Sequence, residues 1–315
     1  MGEDLSTENL VYLTSQQALR DLAFFIEAMN QKYNLTRDVK WIVFGGSYSG
    51  NLAAWLRLKY PHLVHGAMSA SAPLLAKLDF PEFLKDVAHS IRANNIDCFI
   101  ILEESSDQVD VLNIAVGQKK LTNGHNYLNM YPFFMQIVTK RATIDLCEKV
   151  YNSIESEINL RKLTYYELFS KIKNISWEAN DKGLGARQWV YQTCTEFGYF
   201  QTSHKAPLSF FIRTLCQNTY RSSYNEMFVD HAINRTNVLY GGLDIEVSNV
   251  VFVHGSVDPW RLLGITKTLN DKAPAILIEG AGHCENMFGP SYDDTPPLMT
   301  ARVQIGELIG TWINS

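Results

Sequence analysis

The chain has 315 residues, of which 46% are hydrophobic and 19% are charged, and this composition excludes a collagen-like or an intrinsically disordered protein. Its 28 Lys and Arg residues stand against 33 Asp and Glu residues, and the net charge of -5 disfavours a surface that binds nucleic acid. The longest apolar stretches have the length of a core strand, so we predict no membrane-spanning segment.

The first part of the chain predicts helices that alternate with short buried strands. A helix is expected over residues 15–33, followed by a strand over 39–44, a helix over 49–59 and a strand over 63–70. The predicted inner face of the first helix consists of Ala18, Leu22, Phe25, Ile26 and Met29. Alternation of helix and strand is typical of a parallel sheet with crossover helices, and it predicts an α/β fold.

The middle of the chain is mainly helical in its pattern, and the sheet resumes after it. Helices are expected over 81–93, 132–158, 165–172 and 207–227. The last part predicts strands over 248–254 and 275–279, with helices over 261–272 and 298–313. We therefore expect an α/β core formed by residues 1–74 and 246–315, interrupted by a helical cap insert over residues 75–245.

A serine follows the first predicted strand, in the string Gly45-Gly46-Ser47-Tyr48-Ser49-Gly50. A strand-to-helix turn of this kind is the context of a nucleophile elbow, in which the positions two before and two after the serine must be small. Gly45 and Ser49 meet that requirement. Taken alone, the string is more often a helix N-cap serine after a glycine turn than a nucleophile.

Two further candidates, Asp258 and His283, follow the last two predicted strands. Taken singly, Asp258 before proline fits a turn and His283 fits a loop. Together with Ser47, however, they give the chain order Ser, Asp, His, which is that of α/β-hydrolases. We predict that Ser47 is the nucleophile, His283 the general base and acid, and Asp258 the orienting carboxylate. The backbone N–H of Tyr48 is the expected oxyanion donor.

The cysteine pattern argues against a metal site, and no cofactor is predicted. The five cysteines form neither a CxxC pair nor a Cys/His spacing that would bind zinc. In an oxidising compartment the five thiols are enough for two bridges, and the sequence alone leaves their pairing open. Asn34, Asn174 and Asn234 begin glycosylation sequons, although such triplets also occur by chance in cytosolic proteins.

Four blocks of the sequence, FGGSYSG, WVYQTCTEFGYFQT, VVFVHGSVDPW and GAGHC, resemble those of the prolyl serine exopeptidase family. This family includes Pro-X carboxypeptidase, dipeptidyl peptidase II and thymus-specific serine protease, and the GHC block looks closest to the thymus-specific branch. The resemblance runs from about residue 5 to the end of the chain. It implies an α/β-hydrolase core with an inserted helical cap, and it carries the catalytic triad over to Ser47, Asp258 and His283.

Further expectations come from the same resemblance. It makes Cys194–Cys216 the expected disulfide, and it suggests that Tyr48 and Trp260 line an apolar substrate pocket. Trp177 or Trp189 would restrict access to chain ends, with aromatic core packing as the open alternative for both. The expected partner is a peptide substrate, and the resemblance leaves a homodimer open. Members of the family are secreted or lysosomal glycoproteins.

The beginning of the chain departs from the family pattern. Only 46 residues precede Ser47, so the family's signal peptide, first half of the sheet and second oxyanion loop are expected to be absent. The leading hypothesis is a serine exopeptidase that hydrolyses short peptides, with cleavage after proline as the specificity that the family suggests. The alternatives are a truncated and catalytically inactive family member, and an ordinary esterase of the same fold.

Overall fold

The computed structural model describes residues 2–36, 38–94, 96, 170, 172–178, 185–202 and 207–315. Its contacts divide the chain into two compact units. Unit 1 consists of Met1–Leu13 and Ala76–Thr236, and unit 2 consists of Thr14–Leu75 and Asn237–Ser315. The division into a core of residues 1–74 and 246–315 and a cap insert of residues 75–245 stays a prediction, and it differs from these units mainly in the grouping of residues 1–13 and 237–245.

The described helices and strands are, in chain order, α1 (Ser15–Lys32), β1 (Trp41–Gly46), α2 (Tyr48–Lys59), β2 (Val64–Ala70), β3 (Lys77–Asp79), α3 (Glu82–Asn94), α4 (Ala186–Gln192), β4 (Gly198–Phe200), α5 (Leu208–Phe211), α6 (Glu226–Tyr240), β5 (Val250–Gly255), β6 (Ala275–Ile278) and α7 (Pro296–Asn314). Two π-helical segments, Thr193–Phe197 and Ile212–Gln217, continue α4 and α5.

Unit 2 is built on a parallel sheet of four strands in the order β1-β2-β5-β6. Each neighbouring pair is parallel, with Gly46 beside Ala70, Ala70 beside Val253, and Gly255 beside Ile278. Parallel strands need crossover connections, and the segments between these strands supply them. The sheet and its helices confirm the predicted α/β class, and they have the arrangement of an α/β-hydrolase core.

The two faces of this sheet are covered by different helices. Met68 and Val253 point towards α7, where they pack in one buried cluster with Ile305 and Trp312. Because side chains alternate along a strand, Ser69 points to the other face, and its hydroxyl donates to the carbonyl oxygen of Gly50 in α2 at 2.9 Å. The carboxyl ends of the four strands are therefore held between helices that pack on both sides.

The inner face of α1 differs from the predicted one. Of the predicted stripe only Ile26 is buried, whereas Leu22 and Phe25 are 38% and 51% exposed. The buried face instead carries Ser15, Leu19, Ala23 and Ile26. Ser15 lies on this face because its hydroxyl is hydrogen-bonded to that of Tyr240 at 2.9 Å, a partner that hydrophobic periodicity cannot reveal.

Two predicted helices are not formed as expected. The helix predicted over 261–272 is replaced by a short 3₁₀ helix over Pro259–Leu263, which ends at the extended Gly264. The helix predicted over 207–227 ends in a π-helical segment, and α6 begins separately where Asn225 Oδ1 accepts the N–H of Phe228 at 2.9 Å. The helices predicted over 132–158 and 165–172 lie outside the described residues, apart from residues 170 and 172.

Unit 1 contains a short parallel pair, β3 and β4, and the disulfide Cys194–Cys216, which joins the two π-helical segments. A buried guanidinium links its separate parts: Arg187 donates to the carbonyl oxygens of Leu5 at 2.6 Å and Ile172 at 2.9 Å. A buried charge without such bonds would be strongly destabilising. Across the residues described, no helix is both long enough and apolar enough to cross a membrane.

Candidate active site

Ser47 occupies a strained turn between β1 and α2. Its φ of 57° and ψ of -128° put it outside the regions that non-glycine residues usually adopt. In the described structure its side chain makes no cap hydrogen bond to the helix, so the N-cap interpretation is not supported. A Cβ at Gly45 would lie 2.0 Å from the carbonyl oxygen of Ser49, and only glycine therefore fits there. This is the geometry that a nucleophile elbow requires.

Asp258 lies just beyond the end of β5, and its side chain is fully buried. Its Oδ1 accepts the backbone N–H of Trp260 at 3.0 Å, which caps the 3₁₀ helix that follows. A Cβ at Gly255 would lie 2.0 Å from the carbonyl oxygen of Ala281, so the end of β5 packs directly against the loop that follows β6. This close backbone approach brings the loops of Asp258 and His283 together.

His283 is hydrogen-bonded to that carboxylate. Its Nδ1 lies 3.0 Å from both Oδ1 and Oδ2 of Asp258. Burial lowers the pKa of the imidazole, but the Asp258 charge and hydrogen bonds to Asp258 and Cys284 outweigh burial, so the net pKa is raised. With Nδ1 engaged by the carboxylate, Nε2 is the ring nitrogen that can accept a proton from a nucleophile.

Ser47 and His283 are brought close through their neighbours along the chain. A Cβ built on Gly46, which precedes the serine, would lie 3.0 Å from Sγ of Cys284, which follows the histidine. Within the described part of the chain, the Ser47 hydroxyl makes no hydrogen bond to His283. Such bonds are often long in the absence of substrate, so the absence of this bond does not exclude a catalytic pair.

The other predicted site residues of unit 2 flank this pair. Tyr48 is half-buried and is the first residue of α2, so its backbone N–H lies in the first turn of that helix. Trp260 is buried, and its ring centroid lies 6.5 Å from that of His283 at an interplanar angle of 45°. An apolar surface therefore adjoins the imidazole.

The predicted residues of unit 1 have contacts of their own. Trp189 packs beside Phe197 and Tyr199, with centroid distances of 6.1 and 6.5 Å. Trp177 is 37% exposed and donates from Nε1 to the carbonyl oxygen of Gly2. The role of both tryptophans in substrate access stays a prediction. The asparagines of the three sequons, Asn34 of unit 2 and Asn174 and Asn234 of unit 1, are all exposed, and their glycosylation likewise stays a prediction.

His254, near the end of β5, is a buried histidine that the sequence analysis did not single out. It is 1% exposed, and neither ring nitrogen has a hydrogen-bond partner among the described residues. Its imidazole fills the space beside Gly264, where a Cβ would lie 2.1 Å from Cε1. Burial lowers the pKa of His254 from 6.5 to about 4, and the charge of Asp258 opposes this only in part.

We predict that the buried His254 makes the folded protein less stable in acid. The unfolded chain binds a proton to His254 below about pH 6.5, whereas the folded chain does so only below about pH 4. Stability from the buried neutral ring is thus present above about pH 6.5 and is lost as the pH falls towards 4. We expect about 2 kcal/mol to be lost by about pH 5 in the parent protein, and His254→Leu to remove this loss.

The measurement is urea unfolding of both proteins across that pH range. His62→Leu, a change at an exposed histidine of the same unit, is the matched control and should leave the acid loss in place. An acid loss of equal size in His254→Leu and in the parent would contradict the assignment.

No group of three or more His, Cys, Asp or Glu side chains arranged to hold a metal ion occurs within the described ranges.

Comparison with known proteins identifies the family. The family model described as Serine carboxypeptidase S28 matches residues 2–136 and 133–305, which together are most of the chain. The chain belongs to this family of serine peptidases. The resemblance predicted from the sequence blocks is therefore confirmed, and the S28 peptidases are hydrolases.

Individual S28 relatives agree with this identification. The thymus-specific serine protease of Mus musculus is 30% identical over an alignment of 365 positions, which covers 99% of this chain and 71% of that protein. The lysosomal Pro-X carboxypeptidase of Homo sapiens is 27% identical, with 98% and 70% covered. Among solved structures, a proline iminopeptidase of Mycobacterium smegmatis is similar at 12% identity, with 97% and 74% covered and a TM-score of 0.40.

Proposed function

We propose that this S28 family member is a serine exopeptidase that hydrolyses short peptides through an acyl-enzyme on Ser47. The observation that carries the proposal is the hydrogen bond between the buried Asp258 and His283, on a loop that packs against the left-handed turn of Ser47. A serine hydroxyl is a weak nucleophile at neutral pH, and an adjacent imidazole that accepts its proton activates it. The three side chains follow three strands of one parallel sheet. They therefore lie beyond the carboxyl ends of the strands, where such sheets place their reacting groups.

In the first half of the reaction, Ser47 Oγ attacks the scissile carbonyl carbon and His283 Nε2 takes the hydroxyl proton. The carboxylate of Asp258 holds the ring through Nδ1 and stabilises the imidazolium that forms. The backbone N–H of Tyr48 stabilises the negative oxygen of the tetrahedral intermediate. His283 then gives the proton to the leaving amine, and the acyl group stays on the serine as an ester.

In the second half, water attacks that ester and His283 takes a proton from the water. Collapse of the second tetrahedral intermediate releases the peptide acid and returns the proton to Ser47 Oγ. We propose Tyr48 and the buried Trp260 as walls of an apolar pocket for the residue whose carbonyl is attacked. A pocket of this kind suits proline, in agreement with the name of the Pro-X carboxypeptidase relative.

We propose that the protein is lysosomal or secreted. The relative in Homo sapiens is named for the lysosome. The disulfide Cys194–Cys216 is of the kind that persists in an oxidising environment. Exposed sequon asparagines are compatible with glycosylation in that pathway.

The test is labelling with a fluorophosphonate, which phosphonylates an activated serine. We expect the parent protein to be labelled, Ser47→Ala to be unlabelled and Ser49→Ala, a change at the exposed serine two residues later, to retain the label. Circular dichroism of each variant checks the fold. A folded parent protein that takes no label would overturn the proposal and leave an inactive family member as the better description.

Peptide substrates then define the reaction. We expect hydrolysis of an amino-blocked Pro-Phe dipeptide or of an Xaa-Pro amide with a free amino terminus. The first result identifies a carboxypeptidase and the second a dipeptidyl peptidase. Turnover of simple esters without turnover of either peptide would favour the esterase alternative.

A further inference from the structure

Ser71, the residue that follows β2, has an unusual backbone conformation for its position. Its φ is 49°, in the left-handed region, and the residue is 1% exposed. A non-glycine residue in this region costs free energy, and it persists where the surrounding structure holds it in place. The contacts of Ser71 therefore indicate what its conformation serves.

The hydrogen bonds around Ser71 join the segments that carry the proposed triad. Its own N–H donates to the carbonyl oxygen of Val253 in β5 at 2.7 Å. Its Oγ accepts the backbone N–H of Cys284, the residue after His283, at 2.8 Å. The carbonyl oxygen of Ala70, directly before it, accepts the N–H of Ser47 at 2.9 Å. Two successive residues thus link the serine turn, the strand of Asp258 and the histidine loop.

The bond to Cys284 is the one that a side chain supplies, and the histidine loop depends on it. Cys284 also has a left-handed φ of 58°, so the chain turns sharply beyond His283. Removal of the Ser71 hydroxyl would leave the part-buried N–H of Cys284 without that acceptor, and a donor that loses its partner there favours local rearrangement. The displacement would act on the neighbouring imidazole, whose distance from Ser47 sets the rate of proton transfer.

We propose that Ser71 is a positioning residue for His283, whose hydroxyl fixes the backbone beyond the imidazole and thereby the placement of the ring between Asp258 and Ser47. The proposal rests on the proposed function of Ser47 as the nucleophile. Ser71 is 1% exposed, so we assign it a positioning role and not a catalytic one.

The experiment compares the kinetics of fluorophosphonate labelling in three variants of the full chain. Ser71→Ala removes the hydroxyl at unchanged backbone strain. Ser71→Gly removes it and relieves the strain of the positive φ, so this variant keeps the test open if Ser71→Ala folds poorly. Ser15→Ala is the matched control, because Ser15 is a buried serine of α1 whose hydroxyl bonds to that of Tyr240, the last residue of α6.

We expect both Ser71 variants to lower the maximal labelling rate by about 10- to 100-fold with an unchanged half-saturating concentration of the reagent. The acid midpoint of the pH profile should also move to lower pH, because a displaced imidazole loses part of the hydrogen bond that raises its pKa. Ser15→Ala should keep the parental rate and pH midpoint. A loss of stability alone would change neither the maximal labelling rate of the folded protein nor its pH midpoint.

The outcomes separate this inference from the proposed function. A parent protein that takes no label overturns both. A labelled parent together with Ser71 variants that keep its maximal rate and pH midpoint overturns the positioning role alone and leaves the serine mechanism intact. The same loss of rate in Ser15→Ala would likewise overturn the positioning role.

Discussion

Replacement of Asp258 by Asn is expected to lower kcat for peptide hydrolysis by about 10⁴-fold while the protein remains folded. Both carboxylate oxygens of Asp258 lie 3.0 Å from Nδ1 of His283. An asparagine amide would present a donor to Nδ1 and stabilise the wrong tautomer, in which Nε2 carries the proton and cannot accept one from Ser47. The backbone N–H of Trp260 can still be capped by the amide oxygen, so the turn itself should persist.

The same variant changes the pH dependence. His283 acts as a base only when neutral, and its raised pKa makes activity fall as the pH drops through that value. Because the Asp258 charge is a main cause of the increase, Asp258→Asn should lower the pKa and move the acid limb to lower pH. Initial rates across pH provide the measurement, and Asp271→Asn, a change at an exposed carboxylate, is the control. A loss below 10-fold with an unmoved acid limb would contradict the role of Asp258.

Removal of the disulfide is expected to lower the free energy of unfolding by about 3 kcal/mol. Cys194 and Cys216 are separated by 22 positions in the sequence, so the bridge restricts a loop of moderate length in the unfolded chain. Both cysteines are fully buried, and each lies in a π-helical segment of unit 1. The bridge therefore stabilises two helical ends that lack regular i to i−4 hydrogen bonds.

Urea unfolding of the Cys194→Ala, Cys216→Ala double variant measures this effect. The control is Cys284→Ala, which removes a cysteine that forms no disulfide in the described structure. We expect a loss of less than about 1 kcal/mol in the control, because no cross-link is lost. If the double variant unfolds at the parental urea concentration, the bridge does not stabilise the native state.

The strands and the elbow were predictable because their signals are local. Apolar runs that end in glycine or in turn residues mark β1, β2, β5 and β6, and each lies within a few residues of its expected position. The serine turn is equally local, since Gly45 and Ser49 satisfy its steric requirement within the same string. Local patterns of this kind depend little on the rest of the chain.

The failed helix predictions share a different cause. The segment over 261–272 has helical composition, yet its first turn is capped by Asp258 as a 3₁₀ helix and stops at Gly264, whose bare backbone gives room to the ring of His254. In α1, Ser15 rather than Leu22 is buried because of its hydrogen bond to Tyr240, more than 200 residues later. Helical propensity in the first case, and hydrophobic periodicity in the second, are weak enough for such distant contacts to override them.

The amino-acid sequence by itself determined the α/β class, the S28 family and the order of Ser47, Asp258 and His283, because strand patterns and short motifs are written in consecutive residues. Only the tertiary structure decided which face of α1 is buried, that the ring nitrogens of His254 have no hydrogen-bond partner among the described residues, and that Ser71 supports the histidine loop. Each of these depends on residues that are distant in sequence and meet only when the parallel sheet aligns the carboxyl ends of its strands.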